Sequence, residues 1–247
     1  MHAKNTILSL SLFGMTVTPY TTFAADTQSK LGFHGNGEAG FSESTGNTVS
    51  TNFFGALKLN YSQKNNELKS LFELNYKSEN KIQTQERYNI DIQNNRFYNQ
   101  ERSYFSFVGG QMEKSRFEGI ELDTTISIGL GKSIFKDIST DLTGEIGIGQ
   151  QFTQFTDASA EKDKEQTVAR LKLALNHQFN TQISFSQDIA YSTGSNQSKV
   201  ESNTGFKVKI ADQMNLKATY KYRHNDKPAA GVKKVDTQTI VTLIYDF

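Results

Sequence analysis

The sequence predicts an all-β chain: a closed antiparallel transmembrane β-barrel of about twelve strands with both termini periplasmic. Three observations carry this. From Leu31 to Phe247 apolar and polar residues alternate with a period of two, in runs bounded by Gly, Asn, Asp or Ser. Most runs last ~11 residues or more, against the ~5–6 of ordinary globular strands, which suits a tilted strand crossing a bilayer. Short connections alternate with longer polar ones, as they do in outer-membrane barrels.

Composition alone suggests something else. The chain has 247 residues, 36% hydrophobic, with no Cys, no Trp, two Pro, 18 Phe and 10 Tyr. A mean hydropathy of −0.56 is that of a water-soluble chain. Without cysteine there is neither a disulfide framework nor a thiolate metal site. Beyond the amino terminus no run approaches the ~20 apolar residues of a membrane helix.

The elements follow in order. Lys4, an apolar stretch from Ile7 to Val17 and the small-residue end Thr22-Phe23-Ala24 have the layout of a secretory signal peptide, so 1–24 is read as a leader and 25–247 as the barrel domain. Loss of Lys4 takes the 27 cations down by one, level with the 26 anions. A neutral mature chain argues against a nucleic-acid partner.

Strands are expected at about 30–44, 49–63, 67–78, 82–94, 101–112, 119–132, 138–153, 166–176, 181–193, 199–210, 215–225 and 235–247. In the second, Val49, Thr51, Phe53, Gly55, Leu57, Leu59 and Tyr61 oppose Ser50, Asn52, Phe54, Ala56, Lys58 and Asn60. In the sixth, Ile120, Leu122, Thr124, Ile126, Ile128 and Leu130 form the apolar face. In the last, Val235, Val241, Leu243, Tyr245 and Phe247 share a face opposite Asp236, Gln238 and Asp246. Connections near 64–66, 133–137, 177–180 and 211–214 are short; 153–165, 192–198 and 226–234 are longer and polar. An even strand number puts both termini on the short-turn side, with 45–48 and 153–165 outside.

A secreted β-sandwich also alternates, but its strands are shorter. Here the outward face is apolar for five or six successive positions, enough for the ~25 Å lipid-facing band. Phe41, Tyr61, Tyr76, Tyr88, Phe152, Tyr191, Tyr222 and Tyr245 fall near strand ends, where interfacial girdles belong. No edge can stay open in lipid, so the last strand must close on the first. The ending Tyr245-Asp246-Phe247 resembles the terminal aromatic signal read by the outer-membrane barrel assembly machinery. With Gly37-Glu38-Ala39-Gly40-Phe41-Ser42-Glu43-Ser44-Thr45-Gly46-Asn47-Thr48 near the start and Gly129-Leu130-Gly131-Lys132 in mid-chain, the sequence resembles the YdiY-like family of salt-induced outer-membrane proteins, a domain of unknown function. The resemblance spans the mature chain and implies a barrel in the outer membrane of a Gram-negative bacterium. It carries over no catalytic residues.

Alternation sends a defined set of charges inward. The acidic ones are Glu38, Glu73, Asp123, Asp141, Glu145, Asp188 and Asp236; the basic ones are Lys58, Lys69, Arg102, Arg170, Lys172, Lys207, Lys209, Lys217, Lys221 and Arg223. Hairpin register is expected to set Arg170 opposite Asp188, Arg223 opposite Asp236 and Lys58 diagonal to Glu73. An uncompensated stripe of Lys207, Lys209, Lys217 and Lys221 would then face an acidic wall of Asp123, Asp141 and Glu145. Such a transverse field suits a narrow channel with an anion preference; long side chains satisfying one another is the plainer reading.

Catalysis is the competing class. His34 and His224 lie at opposite ends of their strands, and His177 is expected in a turn, so no two share a metal. Glu38 and Glu43 flank Ser42 and Ser44, but alternation separates neighbours, and no motif pairs a nucleophile with a base. The expectation is a monomeric, cofactor-free barrel in outer-membrane lipid that passes small polar solutes, not an enzyme. The alternative is a structural or adhesive barrel with a plugged lumen, acting through its outer loops.

Overall fold

The computed structural model describes residues 31–44, 50–157 and 161–247. The 1–24 leader and the 45–48 connection lie outside the described residues. Twelve strands occur: β1 (Gly32–Ser44), β2 (Ser50–Ser62), β3 (Asn66–Glu79), β4 (Ile82–Phe97), β5 (Tyr104–Ser115), β6 (Ile120–Lys136), β7 (Thr140–Phe155), β8 (Lys164–Gln178), β9 (Ile183–Gly194), β10 (Ser198–Lys209), β11 (Met214–Asn225) and β12 (Val235–Asp246). Each pairs antiparallel with its sequence neighbours, and β12 closes on β1. The seam runs from Asn36 opposite Asp246 to Ala39 opposite Leu243. Gly35 and Phe247 extend it by exchanging two backbone hydrogen bonds of 2.9 Å. Closure leaves no edge to satisfy, the condition for a sheet in lipid.

Outward residues form an apolar belt: Leu130 is 63% exposed, Ile146 61% and Ile148 60%. So much exposed aliphatic surface would aggregate in water and is suited to hydrocarbon. Phe33, Tyr61, Tyr104 and Tyr245 ring the rim where β1 begins and β12 ends; Phe41, Tyr76, Tyr88 and Phe152 ring the far rim.

The loops depart from the simple short-and-long pattern. At the far rim β3 and β4 join through Asn80 and Lys81 alone, both at positive φ (51° and 65°), the type I′ geometry that matches strand twist. The β9–β10 connection is 195–197, shorter than expected, because the strands run on to Gly194 and restart at Ser198. The 226–234 connection is long and buries Ala229. A bulge between Ile120 and Leu122 turns Ile120 inward, where it is 6% exposed, correcting its place on the outer face.

One inner wall is filled. Phe97, Phe105 and Phe107 cluster inside, with the last two lying over glycines of β6 and β7. A Cβ at Gly147 would meet the Phe107 ring at 2.9 Å, and one at Gly129 or Gly131 would collide with the rings outright. Glycine is required here by close approach, an aromatic covering a bare stretch of sheet. The remaining space lies on the other side of the lumen and at the far rim.

Candidate functional site: the charged lumen and its neck

Inside the barrel lies a cavity of about 940 Å³, lined by Lys207, Lys217, Lys221, Arg170 and Arg223, and by Glu38, Asp123, Asp141, Glu145 and Asp188. Lys209 stands apart at the rim of the termini, 3.5 Å from Asp212. Tyr245 and Phe247 point outward, each 50% exposed.

The lysine stripe is not uncompensated. Lys217 Nζ is 3.4 Å from Glu38 Oε2, and Lys221 Nζ is 2.7 Å from Glu73 Oε1. Hairpin register counts only neighbouring strands, whereas closure brings β1 and β3 within reach of β11. Glu38 also accepts a 2.6 Å bond from Thr242 Oγ1. Lys207, facing Lys217 across β10 and β11, and Lys58, diagonal to Glu73, have no ion pair among the described residues.

The Arg170–Asp188 pairing is also corrected. Arg170 faces Ser192, and Asp188 faces Ala174, because the β8–β9 connection is 179–182 and the register slides by four residues. Arg223 faces Asp236, with Nη1 3.7 Å from Oδ2. Of the acidic wall, Asp123 is held by Lys199 Nζ at 2.8 Å and by Gln151. Glu145 accepts a 3.1 Å bond from Gln93, leaving Oε2 buried without a hydrogen-bond partner. Asp141 accepts from Thr143.

His177 lies within β8, not in a turn, at 2.9 Å from Thr140 Oγ1. No group of three or more metal-binding side chains occurs among the described residues. The side chains of Ser42, Glu43 and Ser44 lie outside the described residues.

A second cavity of about 370 Å³ opens at the far rim under the 226–234 connection. The two cavities share Arg87, Glu113, Lys199, Glu201 and Arg223 in their linings, and these side chains form the neck between them. Arg87 of β4 is 7% exposed and pairs with Glu113 of β5. Around that pair runs a ring of alternating charge. Arg87 Nη1 is 3.7 Å from Glu118 Oε1, which is 3.8 Å from Arg223 Nη1. Arg223 Nε is 3.9 Å from Glu201 Oε1, which is 3.7 Å from Arg87 Nη2. These separations exceed hydrogen-bond length, so Coulomb attraction holds the ring. The Nη1 atoms of both arginines are buried without a hydrogen-bond partner. Glu118 belongs to the 3-10 turn Arg116–Glu118 between β5 and β6, outside the strands. Burial pushes its carboxyl above the ordinary glutamate range; Arg87 opposes this, and Glu113 adds to it.

Sequence reasoning missed this neck, although part of the signal was present. Lys199 and Glu201 share the period of Lys207, and Arg87 that of Asn89, Asp91 and Gln93. Glu113 was lost when the fifth strand was ended at 112; β5 runs to Ser115. Glu118 carries no periodic signal, since it sits in a turn between β5 and β6 with a register shift on either side of it.

Comparison with known proteins agrees with the barrel fold. The chain superposes on the NanC porin with a TM-score of 0.52 at 12% identity, covering 86% of this chain and 98% of that one. It is similar to an outer membrane channel from Pseudomonas putida F1, with a TM-score of 0.53 at 9% identity and coverage of 92% and 100%. At such identities the likeness is one of fold. Compared by sequence with curated proteins, the chain matches none. The model of the family described as "Protein of unknown function, DUF481" matches residues 37–247. With that match over nearly the whole described barrel, the chain belongs to the DUF481 family, the YdiY-like proteins its Gly-rich start resembles, and its fold is that of an outer-membrane β-barrel.

Proposed function

We propose that the protein is a narrow, porin-like channel for small polar solutes in the outer membrane of a Gram-negative bacterium. The observation that carries this reading is a charged cavity of about 940 Å³ within a barrel coated by aliphatic side chains. It works as a monomer without a cofactor and without catalysis, its leader 1–24 removed and both termini periplasmic. Tyr245 and Phe247 hand the unfolded chain to the assembly machinery. A mild anion preference rests on Lys207 and Lys58, two of the cavity-lining lysines that have no ion pair among the described residues, beside Lys217.

Planar-bilayer recording tests this. Purified protein should give discrete conductance steps, and replacing Lys207 and Lys217 by Gln should move the reversal potential in a salt gradient toward cations. An unchanged potential would make these lysines space-filling. A second reading, a structural or adhesive barrel, is favoured by the ionic ring across the neck. It requires no steps at all, together with loss of surface binding when 153–165 and 226–234 are shortened.

A further inference from the structure

We propose that the far-rim cavity is a binding site for a small organic monocarboxylate, whose carboxylate takes the place of Glu118 between Arg87 and Arg223. This deepens the channel reading by naming its solute class; transport rests on that reading, binding does not.

Three features converge. The first is an unsatisfied pair of donors. Arg87 is 7% exposed, and its Nη1 and that of Arg223 are buried with no hydrogen bond, both near one oxygen of Glu118 at 3.7 and 3.8 Å, with Asp236 Oδ2 on the other side of the Arg223 Nη1 at 3.7 Å. A guanidinium normally binds carboxylates at ~2.7–2.9 Å, often through two parallel bonds. The two arginines are thus set for a carboxylate that Glu118 reaches but does not bind well. The second feature is that Glu118 stands outside the strand ladder. It lies in a three-residue turn, its side chain 33% exposed toward the cavity, and burial beside Glu113 disfavours its charge. By contrast Glu201 is fixed in β10.

The third feature is the chamber itself. At about 370 Å³ it falls within the ~300–1,000 Å³ range of small-molecule sites. Ile120, Phe155 and Val232 offer an apolar wall for the body of the solute. Seven basic side chains line it against five acidic ones, which selects an anion over a cation. Among the former Lys227, Lys233 and Lys234 of the roofing connection have no ion pair among the described residues and draw anions inward.

Titration calorimetry of the full, folded protein in detergent tests the site, with benzoate as probe and benzamide, its neutral counterpart, as control. Benzoate should bind saturably and benzamide should give no heat. Arg223→Gln should weaken benzoate ~10-fold or more, and Glu118→Gln, which removes the internal competitor, should tighten it several-fold. Equal binding of the two probes, or a Glu118→Gln protein that binds no more tightly, overturns the proposal. If Arg223→Gln fails to fold, the Glu118→Gln comparison decides alone. Benzoate binding without conductance steps overturns the channel and keeps the site; steps without benzoate binding keep the channel and overturn the site.

Discussion

Glu118 is a turn residue set among charged side chains at the neck of the lumen. Arg87 of β4, Glu113 of β5, Lys199 and Glu201 of β10, Arg223 of β11 and Asp236 of β12 surround it. Its carboxyl lies above the ordinary value because of burial, so on acidification it is neutralised ahead of an ordinary glutamate. Ionised Glu118 weakens the fold, and protonation relieves that cost as pH falls. Loss of its charge also tips the ring toward its two arginines. As pH falls from neutral toward the ordinary glutamate range, the reversal potential in a potassium chloride gradient should therefore move toward the chloride limit. Glu118→Gln should start nearer that limit and respond less; an equal response in both proteins would assign the effect to other carboxylates. At this scale the inward direction of Arg223, Glu38 or Asp188 could be read from alternation. Their partners could not, because Lys217 and Glu38, or Lys221 and Glu73, meet through closure of the wall.

Among the elements, β5, β6 and β7 show how a sheet makes its own filling. Phe105 and Phe107 project inward from alternate positions of β5, and Gly129, Gly131 and Gly147 leave room beneath them. The rings replace the missing side chains and narrow the lumen from one side. Gly131→Val should overpack the Phe105 ring and cost about 1–3 kcal/mol, read as a lower urea midpoint in lipid vesicles. Adding Phe105→Ala should recover part of the loss, and a neutral Gly131→Val would mean that the ring is free to move. Strand existence was legible because each run is long and strictly alternating. Bulges were not: nothing in Ile120-Glu121-Leu122 marks the extra residue that turns Ile120 inward.

The whole molecule is held by its seam. Phe247 exchanges two backbone bonds with Gly35, and its ring lies 6.4 Å from that of Phe33, so this residue extends the seam between β12 and β1. Deleting Phe247 should lower both the amount of barrel reaching the outer membrane and the rate of refolding into vesicles. If only the cellular yield falls, the residue acts as an assembly signal; if only refolding slows, it acts as a seam contact; if neither changes, it is dispensable to both.

By itself the sequence determined the class of architecture, the strand number and, away from bulges such as that at Ile120, the face on which side chains lie, because a period of two over a dozen residues is a local property that any pairing must respect. Only the tertiary structure decided which charges neutralise one another and where the lumen narrows. The four-residue slide between Arg170 and Asp188 and the ring of Arg87, Glu118, Arg223 and Glu201 both depend on turn geometry and on which strands closure brings face to face. Electrostatic pairing acts through space across the lumen, and residues of β4 and β11, more than a hundred positions apart in the chain, share no local signal of it.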